Sequence, residues 1–186
     1  PQINILNGGA HADNSVDFQE FMIVPYGAET FSGALRMGSE IFHALRIYLK
    51  SLGLSTSVGD EGGFAPELKS NEEAVTHVLS AIDIAGYNQK GLVGIGLDLA
   101  SSEIFIDGMY HLAAEDKVMA RTEFCDFLSG GVERSPIVTL EDGMAELDWD
   151  GWKLLSDRLN YKVQLTGDDL FVTNPKILTE GIAKGI

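Results

Sequence analysis

Three hydrophobic runs in the sequence each lead into an acidic residue that could bind a metal ion. The runs are GIGLDLA, PIVTLED and VQLTGDD, and the acids are Asp98, Glu141 and Asp168. Each run has the length and aliphatic content of a buried strand, and a plausible helix follows each one. Because the C-terminal ends of parallel strands open on one face of an α/β sheet or barrel, we expect the three carboxylates to converge there. Three oxygen ligands suit Mg²⁺ better than Zn²⁺, which would draw on His or Cys.

Any one acid after a strand is more often a helix cap or a turn residue. Three of them at successive strand ends favour a shared metal site, since capping does not require the same chemistry at each strand. Asp142 and Asp169 follow two of these acids directly. Alternation along a strand would turn both toward the other face, so we interpret them as supporting or capping groups.

Two further segments carry groups that could act as acids, bases or ligands. In VGDEGGFAP, residues 58–66, two glycines allow a tight turn that would hold Glu61 in place, as an acid or base requires. The loop before the second predicted strand contains His11, and the strand itself contains Gln19 and Glu20 among apolar residues, where a carboxylate is costly without a partner or a function. A surface turn and an exposed loop histidine are the alternatives. His43, His77 and His111 have no convergent neighbours and receive no role.

The remaining pattern predicts the elements that would position these groups. Two strands come first, then a helix from Thr30 to about Leu52 and a second from about Ser70 to Gly86. Repeats of strand and helix follow, with strands at 93–98, 136–141 and 162–167 and helices near 121–130, after Asp148 and after Asn174. A hairpin-like insertion, FIDGMYHL, interrupts the first repeat. This order predicts an α/β fold with a parallel sheet and no domain boundary inside the chain.

The composition and the net charge argue against several classes of protein. Twenty-eight acidic residues against 13 basic ones give a net charge of −15, which disfavours nucleic acid and anionic membranes as partners. One cysteine, Cys125, excludes an internal disulfide framework and fits a reducing, cytoplasmic location. No apolar run approaches the roughly 20 residues of a membrane span. A complete eight-stranded barrel usually needs about 250 residues, so the 186 residues are interpreted as a piece of a longer protein.

Seven ordered motifs resemble the enolase family, the phosphopyruvate hydratases. They are NILNGGAHADN, QEFMIVP, VGDEGGFAP, GLDLASSE, SPIVTLEDG, DWDGW and GDDLFVTNPK, and together they extend over essentially the whole chain. The resemblance implies the C-terminal barrel domain: a partial TIM-type barrel in which two strands and two helices precede the βα repeats. It implies that residues 1–186 are an incomplete domain, without the family's N-terminal domain and without the last barrel repeats.

The resemblance also implies an activity and roles for individual residues. The family dehydrates 2-phosphoglycerate to phosphoenolpyruvate in glycolysis through a carbanion or ene-diolate, a logic already described for this superfamily. Asp98, Glu141 and Asp168 would bind Mg²⁺, and Glu141 and Asp168 would also line the substrate site. Glu61 would be the general acid, Glu20 would assist it and contact substrate, and His11 would contact substrate. A homodimer is expected for the complete protein.

The catalytic base is where the sequence departs from the family pattern. The family uses a lysine at the end of the strand after GDDL, and the sequence stops before that position. None of the lysines present follows a predicted strand; they are Lys50, Lys69, Lys90, Lys117, Lys153, Lys162, Lys176 and Lys184. The 186 residues alone are therefore expected to lack turnover. Two alternatives stay open: a non-catalytic binding or antigenic fragment of an enolase, and another lyase of the same superfamily.

Overall fold

A computed structural model describes residues 1–89, 91–159 and 161–186. Within these ranges the strands are β1 (Ile3–Asn7), β2 (Glu20–Val24), β3 (Gly94–Asp98), β4 (Phe105–Ile106), β5 (Met109–Leu112), β6 (Lys117–Met119), β7 (Ile137–Glu141) and β8 (Gln164–Thr166). The helices are α1 (Phe31–Ser51), α2 (Asn71–Ile84), α3 (Arg121–Arg134), α4 (Trp149–Leu159), α5 (Asp168–Phe171) and α6 (Pro175–Lys184), and a 3₁₀ turn covers Gly9–His11.

Five strands form the main sheet, in the order β1-β2-β3-β7-β8. The β1–β2 and β2–β3 pairs are antiparallel, whereas β3–β7 and β7–β8 are parallel. The helices α3 and α4 connect the parallel strands. Two strands and two helices thus precede the βα repeats, which confirms the predicted α/β fold of a partial TIM-type barrel. In the described ranges the sheet does not close on itself.

Local signals in the sequence set the ends of the long helices. The Thr30 hydroxyl accepts a hydrogen bond from the Gly33 N–H at 3.0 Å at the start of α1. The Ser70 hydroxyl accepts one from the Glu73 N–H at the start of α2, also at 3.0 Å. Such caps satisfy backbone donors that have no partner within the helix. Gly86, just beyond α2, adopts a φ of +83°, as the C-terminal glycine of a helix commonly does.

Two short elements differ from the sequence-based expectation. The insertion is a three-stranded antiparallel sheet, β4-β5-β6, and not a simple hairpin. Its third strand was not predicted, because KVM is only three residues long and two of the three are exposed to solvent. The helix α5 was also missed, because four residues are too few for a periodic pattern.

The hydrophobic core lies between the main sheet and its helices. In β2 and β3 the residues Phe21, Ile23, Ile95 and Leu97 are almost completely buried. They alternate with residues that face the opposite side of the sheet. Trp152 on α4 is also buried, and burial of each such large side chain stabilises the fold by roughly 1.5–3 kcal/mol. Among the described residues, no helix combines the length and apolar character required to cross a bilayer.

Candidate active site

One row of residues crosses the main sheet at a single end. Glu20 pairs with Asp98 across β2 and β3, and Asp98 pairs with Glu141 across β3 and β7. The row continues to Asn7 on one side and to Thr166 on the other. Residues directly opposite each other on neighbouring strands share a face of the sheet. Three carboxylates therefore lie side by side, with Glu20 at the start of an antiparallel strand and the other two at the ends of parallel strands.

Asp98 is held rigidly within this row. One carboxylate oxygen accepts a hydrogen bond from the Ala100 N–H at 3.0 Å, and the other accepts one from Gln19 Nε2 at 3.1 Å. The Gln19 N–H also donates to the Asp98 carbonyl at 3.0 Å. Burial raises the pKa of Asp98, and the two hydrogen bonds from Ala100 and Gln19 oppose that rise.

Glu141 lies where the negative charges accumulate. Burial, followed by the charges of Asp98, Asp142, Asp168 and Glu20, raises the pKa of Glu141 from 4.5 to about 7. Repulsion of this kind is relieved by a cation. The donor set consists of carboxylate oxygens, which are the ligands that hard divalent ions such as Mg²⁺ prefer. The type of donor therefore suits such an ion, whereas the possible ligand atoms of Asp98, Glu141 and Asp168 do not all lie within 4.8 Å of one another.

Asp168 takes a different position from the other two acids of the predicted metal site. It lies two residues beyond the end of β8, in the first turn of α5, and is exposed. Its charge still contributes to the raised pKa of Glu141, so its carboxylate lies near the same end of the sheet. The assignment of Asp98, Glu141 and Asp168 as a metal site stays a prediction.

Asp142, the residue that follows β7, supports the first turn of α5. Its Oδ2 accepts a hydrogen bond from the Asp169 N–H at 2.9 Å, which confirms the predicted capping role for Asp142. Burial, together with the charge of Asp169, raises the pKa of Asp142 to about 6. Asp142 itself adopts a φ of +42°, a conformation that aspartate tolerates better than most residues.

A second group of side chains adjoins the row. His11 Nδ1 lies 3.8 Å from a carboxylate oxygen of Glu20 and 3.9 Å from one of Glu61. The possible ligand atoms of these three side chains all lie within 4.8 Å of one another. In the part of the chain that the structure describes, no other group of three His, Cys, Asp or Glu side chains is this close. Burial and the charges of Asp98 and Glu61 raise the pKa of Glu20, whereas His11 lowers it. The sequence singled out all three residues separately, and the fold brings them together.

The turn that carries Glu61 is fixed at several points. The Gly59 N–H donates to the Gly63 carbonyl at 2.8 Å, and the Asp60 N–H donates to the His11 carbonyl at 3.0 Å. Gly62 has a φ of +84°, which favours glycine. The Glu61 side chain is 50% exposed, so it combines a fixed backbone with access to the open end of the sheet.

Two polar residues beside the site were not assigned a role from the sequence. Gln19, already noted as a polar residue in an apolar strand, holds Asp98. Asn7 is fully buried at the end of β1 and bonds to two neighbouring segments. The signal for Asn7 was a polar residue at the end of an apolar run, but its partners are distant in sequence and could not be read from it.

The remaining histidines and the lysines lie elsewhere. His77 is buried between α1 and α2, where its ring packs against Tyr48 and lies 3.9 Å from Glu73. Lys90 lies outside the described residues. Among the lysines within them, Lys153, Lys162 and Lys184 form ion pairs with acids outside the site. Lys117 and Lys184 lie over aromatic rings. No lysine in the described ranges forms an ion pair with a member of the row or with Glu61.

Comparison with known protein families agrees with this geometry. The sequence matches the family described as enolase, C-terminal TIM barrel domain, and the match extends over residues 1–186. The five-stranded sheet, with antiparallel strands followed by parallel βα repeats, is the corresponding part of such a barrel. We conclude that the chain belongs to the enolase C-terminal TIM barrel domain family.

Proposed function

We propose that the complete protein dehydrates 2-phosphoglycerate to phosphoenolpyruvate, a glycolytic reaction, and that this chain supplies most of the acidic groups of its active site. The observation that carries the proposal is the row of Glu20, Asp98 and Glu141 beside the cluster of His11, Glu20 and Glu61. One part of this arrangement suits a divalent ion, and the other suits proton transfer to a leaving hydroxyl.

In this proposal the acid chemistry belongs to Glu61 and Glu20. Glu61 donates a proton to the leaving hydroxyl, because it stands half exposed on a turn whose backbone is fixed. Glu20 assists, since burial and the charges of Asp98 and Glu61 raise its pKa above the usual range of a glutamate. His11 Nδ1 lies 3.8 Å from Glu20 and 3.9 Å from Glu61, which supports a role for His11 in contacting the substrate.

Asp98, Glu141 and Asp168 are the residues that would hold Mg²⁺. When bound, the ion would supply positive charge to the substrate carboxylate, on which negative charge develops when the neighbouring carbon loses its proton. The chain contributes rigid support for this site. Gln19 and Ala100 fix both oxygens of Asp98, and Asp142 fixes the segment that contains Asp168.

We propose that residues 1–186 are an incomplete barrel domain and that the base lies in sequence outside them. Five acidic side chains and one imidazole form this end of the sheet, and neither Arg nor Lys pairs with them among the described residues. A phosphorylated carboxylate would be repelled by such a site even after part of the charge was neutralised. We therefore expect the 186 residues alone to lack turnover. The same observation favours the second candidate, a chain that acts only as a binding or antigenic fragment.

The alternative enzyme, the oligomeric state and the location are proposed from the family resemblance and the sequence, and not from the geometry of the site. Another lyase of the superfamily is the alternative enzyme, and it is less favoured because no lysine lies near Glu20 in the sequence. We propose a homodimer for the complete protein and a cytoplasmic location. Neither nucleic acid nor a membrane is a proposed partner.

Enzyme assays with 2-phosphoglycerate test the proposal. In the complete protein we expect Asp98→Ala to lower kcat by about 100-fold or more, because the metal acts on charge that develops in the transition state. The matched control is His43→Ala on the exposed face of α1, which should leave kcat unchanged. Equal losses in both variants would refute the site assignment.

A second assay separates the enzyme from the binding fragment. The 186-residue chain and the complete protein are compared for turnover and for binding of 2-phosphoglycerate with Mg²⁺ by calorimetry. We expect both activities in the complete protein and neither in the shorter chain. Tight binding by the shorter chain would show that the remaining sequence is not needed for recognition.

A further inference from the structure

Asn7 connects two segments that carry the proposed acids. It is the last residue of β1, and its side chain is fully buried. Its Nδ2 donates a hydrogen bond to the Gln19 carbonyl at 3.2 Å, and its Oδ1 accepts one from the Gly63 N–H at 2.8 Å. Both partners are backbone groups, so the amide fits in one orientation only.

Each of these partners is next to a residue of the site. Gly63 lies two residues after Glu61 on the same turn, and Gln19 immediately precedes Glu20. Gln19 also reaches Asp98 through its own side chain. A single buried amide therefore bridges the turn with Glu61 and the strand with Glu20, and Gln19 extends the bridge to Asp98.

The turn packs directly on Asn7, which leaves little room for adjustment. A Cβ added at Gly63 would lie 2.6 Å from Asn7 Oδ1, and one added at Gly59 would lie 2.9 Å from Asn7 Cβ. The backbone of Asn7 is also engaged, since its N–H donates to the Phe64 carbonyl at 2.9 Å and its carbonyl accepts from Asn14 Nδ2 at 3.0 Å. The position of Asn7 and the position of the turn are therefore fixed together.

We propose that Asn7 is a positioning residue that sets the separation of Glu61 from Glu20. Asn7 acts through Gly63 and Gln19 and does not itself touch the reacting atoms. The catalytic consequence rests on the proposed function, because it assumes that Glu61 is the acid. The structural bridge does not depend on that assumption.

Two substitutions separate the two arms of the bridge. Asn7→Ala removes both hydrogen bonds. Asn7→Asp keeps an oxygen acceptor for the Gly63 N–H but replaces the donor with an oxygen that faces the Gln19 carbonyl. The matched control is Asn71→Ala. Asn71 is also a buried asparagine whose Oδ1 accepts from two backbone N–H groups, those of Asp17 and Phe18, and it does not contact the turn.

Amide hydrogen exchange tests the bridge without any activity measurement. We expect the Gly63 amide to exchange about 10-fold faster in Asn7→Ala, because a hydrogen bond of this kind is worth about 1 kcal/mol or slightly more. In Asn7→Asp this amide should stay protected, and in Asn71→Ala it should change no more than the average of the protein. Unchanged exchange at Gly63 in Asn7→Ala, or a uniform increase matching Asn71→Ala, would overturn the proposal.

Kinetics test the catalytic consequence. In the complete protein we expect both Asn7 variants to lower kcat about 10-fold or more while KM changes less than about 2-fold, since an acid displaced by a fraction of an ångström loses efficiency in the transition state. A kcat in Asn7→Asp equal to that of the unmodified protein would overturn the positioning role. If the unmodified protein fails to dehydrate 2-phosphoglycerate but the exchange results hold, the proposed function fails and the bridge stands.

Discussion

The charge of Glu141 should make the stability of the metal-free protein depend on pH. Its pKa is about 7 in the folded protein and 4.5 in the unfolded chain. The folded state therefore binds more protons between these two values, and the free energy of unfolding falls as the pH rises through this window. Below pH 4.5 no stability is lost through Glu141, and above about pH 7 the loss is complete.

The size of the effect follows from the same two values. At about 1.4 kcal/mol for each pH unit, the difference between 4.5 and about 7 corresponds to about 3.5 kcal/mol at most. The side chain is partly exposed, and solvent screens the neighbouring charges, so we expect about 2 kcal/mol. Glu141→Gln removes the titrating group. The variant should therefore gain about 2 kcal/mol of stability relative to the unmodified protein when the pH rises from 4.5 to 8.

Urea unfolding at several pH values, with a chelator present, measures this difference. Glu103→Gln is the control, because Glu103 is an exposed glutamate outside the site. Mg²⁺ added at about 100 times its dissociation constant should then stabilise the unmodified protein by about 2.7 kcal/mol at pH 8 and the Glu141→Gln variant by less. If the difference between the two proteins is the same at pH 4.5 and pH 8, the electrostatic account of Glu141 is wrong.

Two further predictions concern a buried hydrogen bond and a tightly packed turn. Tyr110→Phe removes a hydroxyl that donates to the buried Asp148 at 2.8 Å, and the free energy of unfolding should fall by about 2 kcal/mol. The control is Tyr161→Phe, at a side chain that is 98% exposed, which should change nothing in the same denaturation assay. Gly63→Ala would put a Cβ 2.6 Å from a buried amide oxygen and should cost about 1–3 kcal/mol. Gly131→Ala in α3, where the nearest contact is 3.9 Å, should be neutral or stabilising, and equal losses in both glycine variants would contradict the account of the turn.

The sequence predicted those parts of the fold that depend on local signals. Thr30 and Ser70 cap the helices that they were expected to begin, and the apolar runs form the strands. The strand β6 and the helix α5 were missed because both are too short to show a pattern, and α5 also depends on a segment far away in sequence. Asp142, for example, caps α5 from the end of β7.

For the candidate site, the sequence predicted the residue types but not their arrangement. Spacing alone indicated that acids follow successive strands. The pairing of Glu20 with Asp98 depends on β2 running antiparallel to β3, and nothing in the spacing specified that direction. The role of Asn7 depends on Gly63, which lies 56 residues later in the chain. Long-range contacts of this kind carry no local pattern that a sequence could reveal.

The antiparallel strand β2 has a consequence for how the sequence can change. Glu20 faces the open end, and its neighbour Phe21 faces the hydrophobic core. A deletion of one residue within β2 would exchange the two faces, because side chains alternate along a strand. The Glu20 carboxylate would then point into the hydrophobic core, and the Phe21 ring would point toward the open end of the sheet. Insertions and deletions within β2 should therefore not be tolerated.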